Sequence, residues 1–255
     1  MTVEKINEIF PNPTVKEVAF EIKYPNLFYI ENKIGDLQIR IIEEFPESSL
    51  IFRAPIAFAN IGPEGKFSLP PNFEEDTGKK IWEFKSEKGF RLNISSDSLL
   101  IVSQFHKTYN LDGQDKFRDI IEFIVENFLE IMQIPIFNRI GFRYIDECPL
   151  PTKDNETFKK YYDSVFPIER FNLSNVDEMD FKTVFKIGNY HLRYVESLQK
   201  VNDEYKLILD FDGFAGKIKS NEYLKITDDL HAIILGEFEK TINKPVLDHM
   251  RGSEG

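Results

Sequence analysis

The chain carries one cysteine, Cys148, among 255 residues. A lone thiol excludes an intramolecular disulfide and any zinc site built on several cysteines. Histidine is scarce too: His106, His191, His231 and His249 are the full set, and their spacing matches no metal-binding pair. No apolar run approaches the ~18 residues of a membrane span, and the opening MTVEKINEIF lacks the apolar stretch of a signal peptide. The expectation is a soluble, cytoplasmic protein with no membrane partner. Neither a P-loop nor Gly-X-Gly-X-X-Gly occurs, and no nucleophile sits in a Gly-X-Ser-X-Gly elbow. Positive charge is in deficit, with 32 Lys and Arg against 43 Asp and Glu, a net charge of −11. Such a surface repels phosphate backbones and disfavours non-specific nucleic-acid binding.

What is present is core-forming material. Hydrophobic residues make up 42% of the chain, and 24 Phe with 10 Tyr supply large buried surfaces, which excludes general disorder. A single globular domain over 1–255 is expected.

Residues 15–24 alternate apolar and polar, the pattern of a strand with one wet face, and Pro25 ends it. Leu37, Ile41, Ile42 and Phe45 recur at helical spacing over 34–45, before Pro46. A second strand over 50–60 is interrupted by Pro55, and 61–79 reads as a long loop rich in Gly and Pro. Three short strands follow at 81–85, 90–94 and 98–105. The clearest pattern is a helix over 114–132, with Phe117, Ile120, Ile121, Ile124, Val125 and Phe128 on one stripe and Asp119, Glu122, Glu126 and Glu130 facing water. A strand over 136–146, a short helix over 157–165, three strands at 181–187, 191–199 and 204–211, and a helix over 228–242 capped by Thr227 complete the order. The fold class is therefore α+β: a mostly antiparallel, twisted sheet with two long helices packed on one face. The segment from Gly141 to Asp146 echoes Tyr190 to Glu196 around an Arg-Tyr-aliphatic-acid core, which admits two related halves, 13–147 and 148–250.

Four further stretches carry a family resemblance. They are Asn12-Pro-Thr-Val-Lys-Glu17, Trp82-Glu-Phe-Lys85 with Leu92-Asn-Ile-Ser-Ser-Asp97, Asn138-Arg-Ile-Gly-Phe-Arg-Tyr-Ile-Asp146, and Leu230-His231 followed by Phe238-Glu239. In this order they resemble a sporadically distributed, uncharacterised prokaryotic family recognised by an Arg-Ile-Gly-Leu-Arg-Tyr-Ile-Asn type motif. Phe142 replaces the motif's Leu and Asp146 its Asn. The resemblance spans roughly 13–250 and implies no activity. The family's patchy distribution implies a defence-associated or mobile-element setting.

The same motif holds the candidate ligand-binding residues Arg139, Arg143, Tyr144 and Asp146. Strand alternation puts Arg139, Gly141 and Arg143 on one face, the arginines about 13 Å apart at ~3.3 Å per residue, with Ile140, Phe142 and Tyr144 on the other. Gly141 removes a side chain between the two guanidiniums, which suits a groove for phosphate or carboxylate. The competing reading is that both arginines pair with the chain's own acids. Asp76, Glu83 and Lys85 imitate a metal-dependent nuclease triplet, but Glu21-Ile-Lys23 and Glu204-Tyr-Lys206 repeat it as ordinary strand faces. Position 19 is Ala, which breaks the Glu-X-Glu-X-Lys pattern of triphosphate-tunnel enzymes. No cofactor, no metal site and no catalytic residue is assigned. The reading is a non-enzymatic binding or regulatory protein that recognises a protein partner or a small anionic ligand. The alternatives are a metal-dependent hydrolase or nuclease and a subunit of a larger assembly.

Overall fold

Alternation over β1 (Val15–Lys23) turns Val18, Phe20 and Ile22 into a core and leaves Glu17, Ala19 and Glu21 on the opposite face. The computed structural model describes residues 6–53, 60–61, 67–68, 79–111 and 116–252. After β1 come α1 (Ile30–Ile41), β2 (Glu47–Arg53), the small separate ribbon of β3 (Asn60–Ile61) and β4 (Phe67–Ser68), the meander β5 (Lys79–Lys85), β6 (Phe90–Ile94) and β7 (Ser98–Ser103), and α2 (Phe117–Met132). A second series follows: β8 (Ile136–Pro149), α3 (Asn155–Tyr161), the meander β9 (Met179–Ile187), β10 (Tyr190–Val201) and β11 (Glu204–Lys219), then α4 (Tyr223–Thr241) and α5 (Lys244–Met250).

Nine strands form one sheet in the order β2-β5-β6-β7-β1-β8-β11-β10-β9, and every neighbouring pair is antiparallel. β1 pairs with the last strand of the first meander, and β8 pairs with the last strand of the second. β1 and β8 then join each other at the centre. The second series begins with β8 at Ile136, and β8 runs on through residues 147 and 148. The two echoing segments lie on β8 and β10, which hold different places in the sheet.

The α+β class and the antiparallel sheet are as expected; two long helices are not what covers it. Five helices of 12, 16, 7, 19 and 7 residues do so. Counting the 3-10 turn Ser220–Glu222 that leads into it, α4 is, among the described residues, the only helical run of about 22 residues. The sheet is wide, and its covered face is tiled by several short to moderate helices. α4 also begins earlier than expected, because Tyr223 and Ile226 extend the buried stripe of Leu230 and Ile234. Thr227 is therefore inside the helix, where its hydroxyl donates to the Tyr223 carbonyl at 2.8 Å and caps nothing. Most of the loop expected over 61–79 lies outside the described residues, as does Pro55 of the strand expected over 50–60.

All five helices feed one continuous core with β1, β6, β7, β8, β10 and β11. Gly213 on β11 sits where a Cβ would meet Leu230 and Ile234 at 3.3–3.4 Å, so its bareness lets α4 lie close to the sheet. Among the described residues no helix is long and apolar enough to cross a membrane.

Ile124 of α2 is fully buried, whereas Glu126 points to solvent. Ile124→Ala is expected to lower stability by about 2–5 kcal/mol and Glu126→Ala by less than ~1 kcal/mol. Urea melts read both, and equal small losses would contradict the assignment of the buried face.

Candidate functional site

The four candidate residues of β8 divide between two faces of the sheet. Arg139 and Arg143 lie on the open face with Glu17 and Glu21 of β1, Asp210 and Asp212 of β11, and Arg193 of β10. These side chains form an alternating ladder of charge. Arg143 clasps Asp210 with two bonds, Nε at 2.7 Å and Nη2 at 2.8 Å, and Arg193 reaches the same carboxylate at 2.6 Å. Arg139 bonds Glu21 and, at 2.8 Å, Asp212. Its guanidinium lies across Gly141, in the place a Cβ would take, and 5.1 Å from the centre of the Phe214 ring. His191 stacks on the same Phe214 ring, with centres 5.2 Å apart. The space that Gly141 vacates thus holds the protein's own arginine.

Tyr144 and Asp146 point the other way, beneath the helices. There a cavity of about 400 Å³ opens between residues 6–13, the connection from β7 to α2, β8 and α4. The connection supplies His106 and Tyr109, and α4 supplies Asp228 and His231. The Tyr144 hydroxyl lies 3.2 Å from His231 Nδ1 and 3.5 Å from His106 Nε2, a phenol held between two imidazoles. Tyr109 stacks on His231 with ring centres 4.1 Å apart, and its hydroxyl donates to Asp228 at 2.6 Å. Arg118 of α2 closes this arrangement by gripping Asp228 through Nε at 2.8 Å and Nη2 at 3.1 Å. Ile6, Phe10, Ile234 and Phe238 make the apolar walls. Residues 6–13 are tied down by the Ile6 amide donating to Glu239, the Asn12 amide to the Met250 carbonyl, and an Arg251–Glu8 ion pair.

Burial sets the protonation states. Desolvation lowers the pKa of His106 to about 3 and that of His231 to about 4, so both rings are neutral at pH 7. The same effect raises Asp146 to about 7, although the Thr14 hydroxyl donates to it at 2.8 Å and favours its charge. The pocket sets the neutral imidazoles and the Tyr144 hydroxyl among apolar walls, with Glu8, Lys107 and Asp228 also on its lining, and suits a ligand held by shape and a few polar contacts.

The other sequence motifs do not assemble. Glu83 pairs with its own neighbour Lys85 at 3.2 Å, and Asp76 lies outside the described residues. Lys23 and Lys206 likewise sit beside Glu21 and Glu204 on their own strands. Cys148 is fully buried, with its thiol pKa pushed up by desolvation. Among the described residues no group of three or more His, Cys, Asp and Glu side chains is placed to hold a metal ion. Asp228 and Asp229 lie inside α4 and serve tertiary partners: Asp229 accepts from Tyr190 at 2.6 Å. From the sequence, His106 and His231 stand out only as histidines outside any metal-binding spacing, and neither Tyr109 nor Arg118 stands out at all. The available signal was the density of donor-bearing side chains between β7 and α2: His106-Lys-Thr-Tyr-Asn110 in one short connection. Comparison with family models, with curated proteins and with solved structures yields no match.

Two outcomes follow from this geometry. Arg143→Met leaves Asp210 with Arg193 alone; because Arg143 is 41% exposed, a loss of about 1–2 kcal/mol is expected, read as a lower urea midpoint. No change in midpoint would show that the ladder carries no stability. The second outcome concerns pH. Asp146 has a folded pKa raised above its unfolded value, so its contribution to stability is full below pH ~4 and is lost as pH rises to about 7. The histidines have lowered folded values, so theirs is full above pH ~6.5 and is lost as pH falls towards about 4. Relative to the parent, Asp146→Asn should gain stability as pH rises from 4 to 7, and His231→Gln should gain as pH falls through 6. Melting midpoints across pH 4–8 test both, and differences that stay constant with pH would refute the buried-charge assignment.

Proposed function

We propose that the protein binds a small organic ligand in the cavity between residues 6–13, the β7–α2 connection, β8 and α4, and acts as a non-enzymatic binding or regulatory protein. The observation that carries this reading is the cavity itself: about 400 Å³, walled by apolar side chains, around a tyrosine hydroxyl set between two neutral imidazoles. That size and mixture of walls and polar points match small-molecule sites. The open face supports ligand binding less well, since each of its arginines already bonds carboxylates of the same sheet. Regulation follows in this reading from the lining, because residues 6–13 form part of the wall and a bound ligand would stabilise their docked position. The resemblance of the segment from Arg139 to Asp146 to the Arg-Ile-Gly motif family is the ground for proposing a defence-associated or mobile-element setting.

Ala232 lies on α4 at the cavity and is exposed, so Ala232→Trp can obstruct the space without disturbing the core. Native mass spectrometry of protein purified from its own host should show a co-purifying small molecule on the parent and none on this variant. A parent that carries nothing, and whose melting midpoint does not rise by even a few degrees in the host's metabolite extract, would overturn the reading.

A further inference from the structure

A second cavity, of about 350 Å³, adjoins the first. It lies between the β5–β6 turn and the end of β7, and His106 and Lys107 line both spaces. We propose that the ligand is an amphipathic organic anion, a carboxylate or a close equivalent, whose apolar body fills the cavity under α4 and whose head lies beside Ser103, His106 and Lys107. This rests on the ligand-binding reading given above and specifies what that site takes.

Ser103 is the first support. Its side chain is completely buried on the covered face, opposite Val18 on β1 and Phe90 on β6, and it borders the second cavity. Its hydroxyl has no hydrogen-bond partner. A buried hydroxyl without a partner is unfavourable by comparison with an apolar side chain of similar size, so its presence at a cavity wall points to a polar group that completes it. Lys107 is the second. It is exposed at the junction of the two cavities and has no ion-pair partner among the described residues, whereas the neighbouring Lys88 is bound to Glu44 at 2.9 Å. An ammonium beside an unpartnered hydroxyl suits a carboxylate oxygen.

His106 is the third. Edge-to-face contacts with Phe117 at 5.8 Å and Tyr144 at 5.5 Å fix its ring between the cavities. Nε2 is engaged by Tyr144, and Nδ1 has no partner among the described residues. An anionic head selects the tautomer with hydrogen on Nδ1; Nε2 then accepts from the Tyr144 hydroxyl, which accepts in turn from His231. Phe105 adds apolar surface at the mouth. It is 74% exposed, and its ring lies directly over Gly89, whose left-handed backbone (φ +82) and missing Cβ make room for it. One acid, Glu87, borders the same cavity, and this gives the proposal a distinguishing consequence: removing that charge should strengthen binding.

The test uses calorimetric titration of the full chain with ω-phenylalkanoates of increasing length, beside their primary amides and amines. The expected result is binding of the carboxylates, with amides weaker by about tenfold or more and amines weaker still. Lys107→Met should weaken the carboxylates by about tenfold and leave the amides unchanged. Ser103→Ala should weaken both, and Glu87→Gln should tighten the carboxylates. Lys107 and Glu87 are exposed, so these variants keep the fold even if Ser103→Ala repacks. Amides that bind as well as carboxylates, weaker binding in Glu87→Gln, or no carboxylate binding at millimolar concentration would each overturn the anionic head. The broader reading fails separately, if Ala232→Trp leaves every bound probe unaffected or if the parent carries and binds no small molecule at all.

Discussion

The register between β1 and β8 governs both faces of this protein. Phe20 stands opposite Phe142, Val18 opposite Tyr144, and Glu21 opposite Gly141, so apolar side chains meet beneath the helices while charges meet on the open side. Because side chains alternate with a period of two, a slip of one residue would turn one strand over against the other, bringing Glu21 into the core and exposing Phe20 if β1 is the strand that turns, or Arg139 and Phe142 likewise if it is β8. The core and the charged ladder therefore reject the same error. The pair also joins two similarly connected meanders, so each half depends on it for the second neighbour of its innermost strand.

The two faces answer desolvation differently. On the open face, acids and arginines alternate across β1, β8, β11 and β10 while retaining contact with water, and opposite charges lie close enough to offset each other. Beneath the helices, ionisation is suppressed: His106 and His231 stay neutral, and Asp146 holds its proton until about pH 7. Asp228 is met there by two bonds from Arg118 and one from Tyr109. That ion pair spans from α2, which closes the first series of elements, to α4 in the second. The cavity consequently lies where elements of both series meet.

Much of the sheet was legible because a two-residue period with one wet face leaves a strong trace, as from Val18 to Tyr24. The stripe of α2 was equally readable, since Phe117, Ile121, Ile124 and Phe128 are all fully buried. The start of α4 was harder, because Thr227 resembles a cap and only its position over the sheet shows that the helix continues back to Tyr223. The alternation that sets Arg139 and Arg143 on one face and Tyr144 on the other was also readable; that the second face lines a cavity was not. The cavity itself left little trace. His106, Tyr144 and His231 are far apart in sequence, and they meet only because β8 pairs with β11 and α4 folds back over both strands.

The proposed anion site has a physical basis in this separation of charge. A protein of net charge −11 repels an organic anion at long range, but salt screens such fields beyond roughly 8–10 Å, and the local surroundings of the head then decide the outcome. In the cavity under α4, the buried Asp146 is largely protonated below pH 7, and Asp228 is matched by Arg118. The acid that could oppose the head most directly is Glu87, at the cavity rim, where water weakens its effect. Desolvation also keeps the imidazoles from becoming competing cations. An ammonium at Lys107 is then, among the described residues, the uncompensated charge at the junction of the two cavities. In the proposed site, selectivity for an anion rests on that one cation beside a neutralised interior, even though the molecule as a whole is acidic.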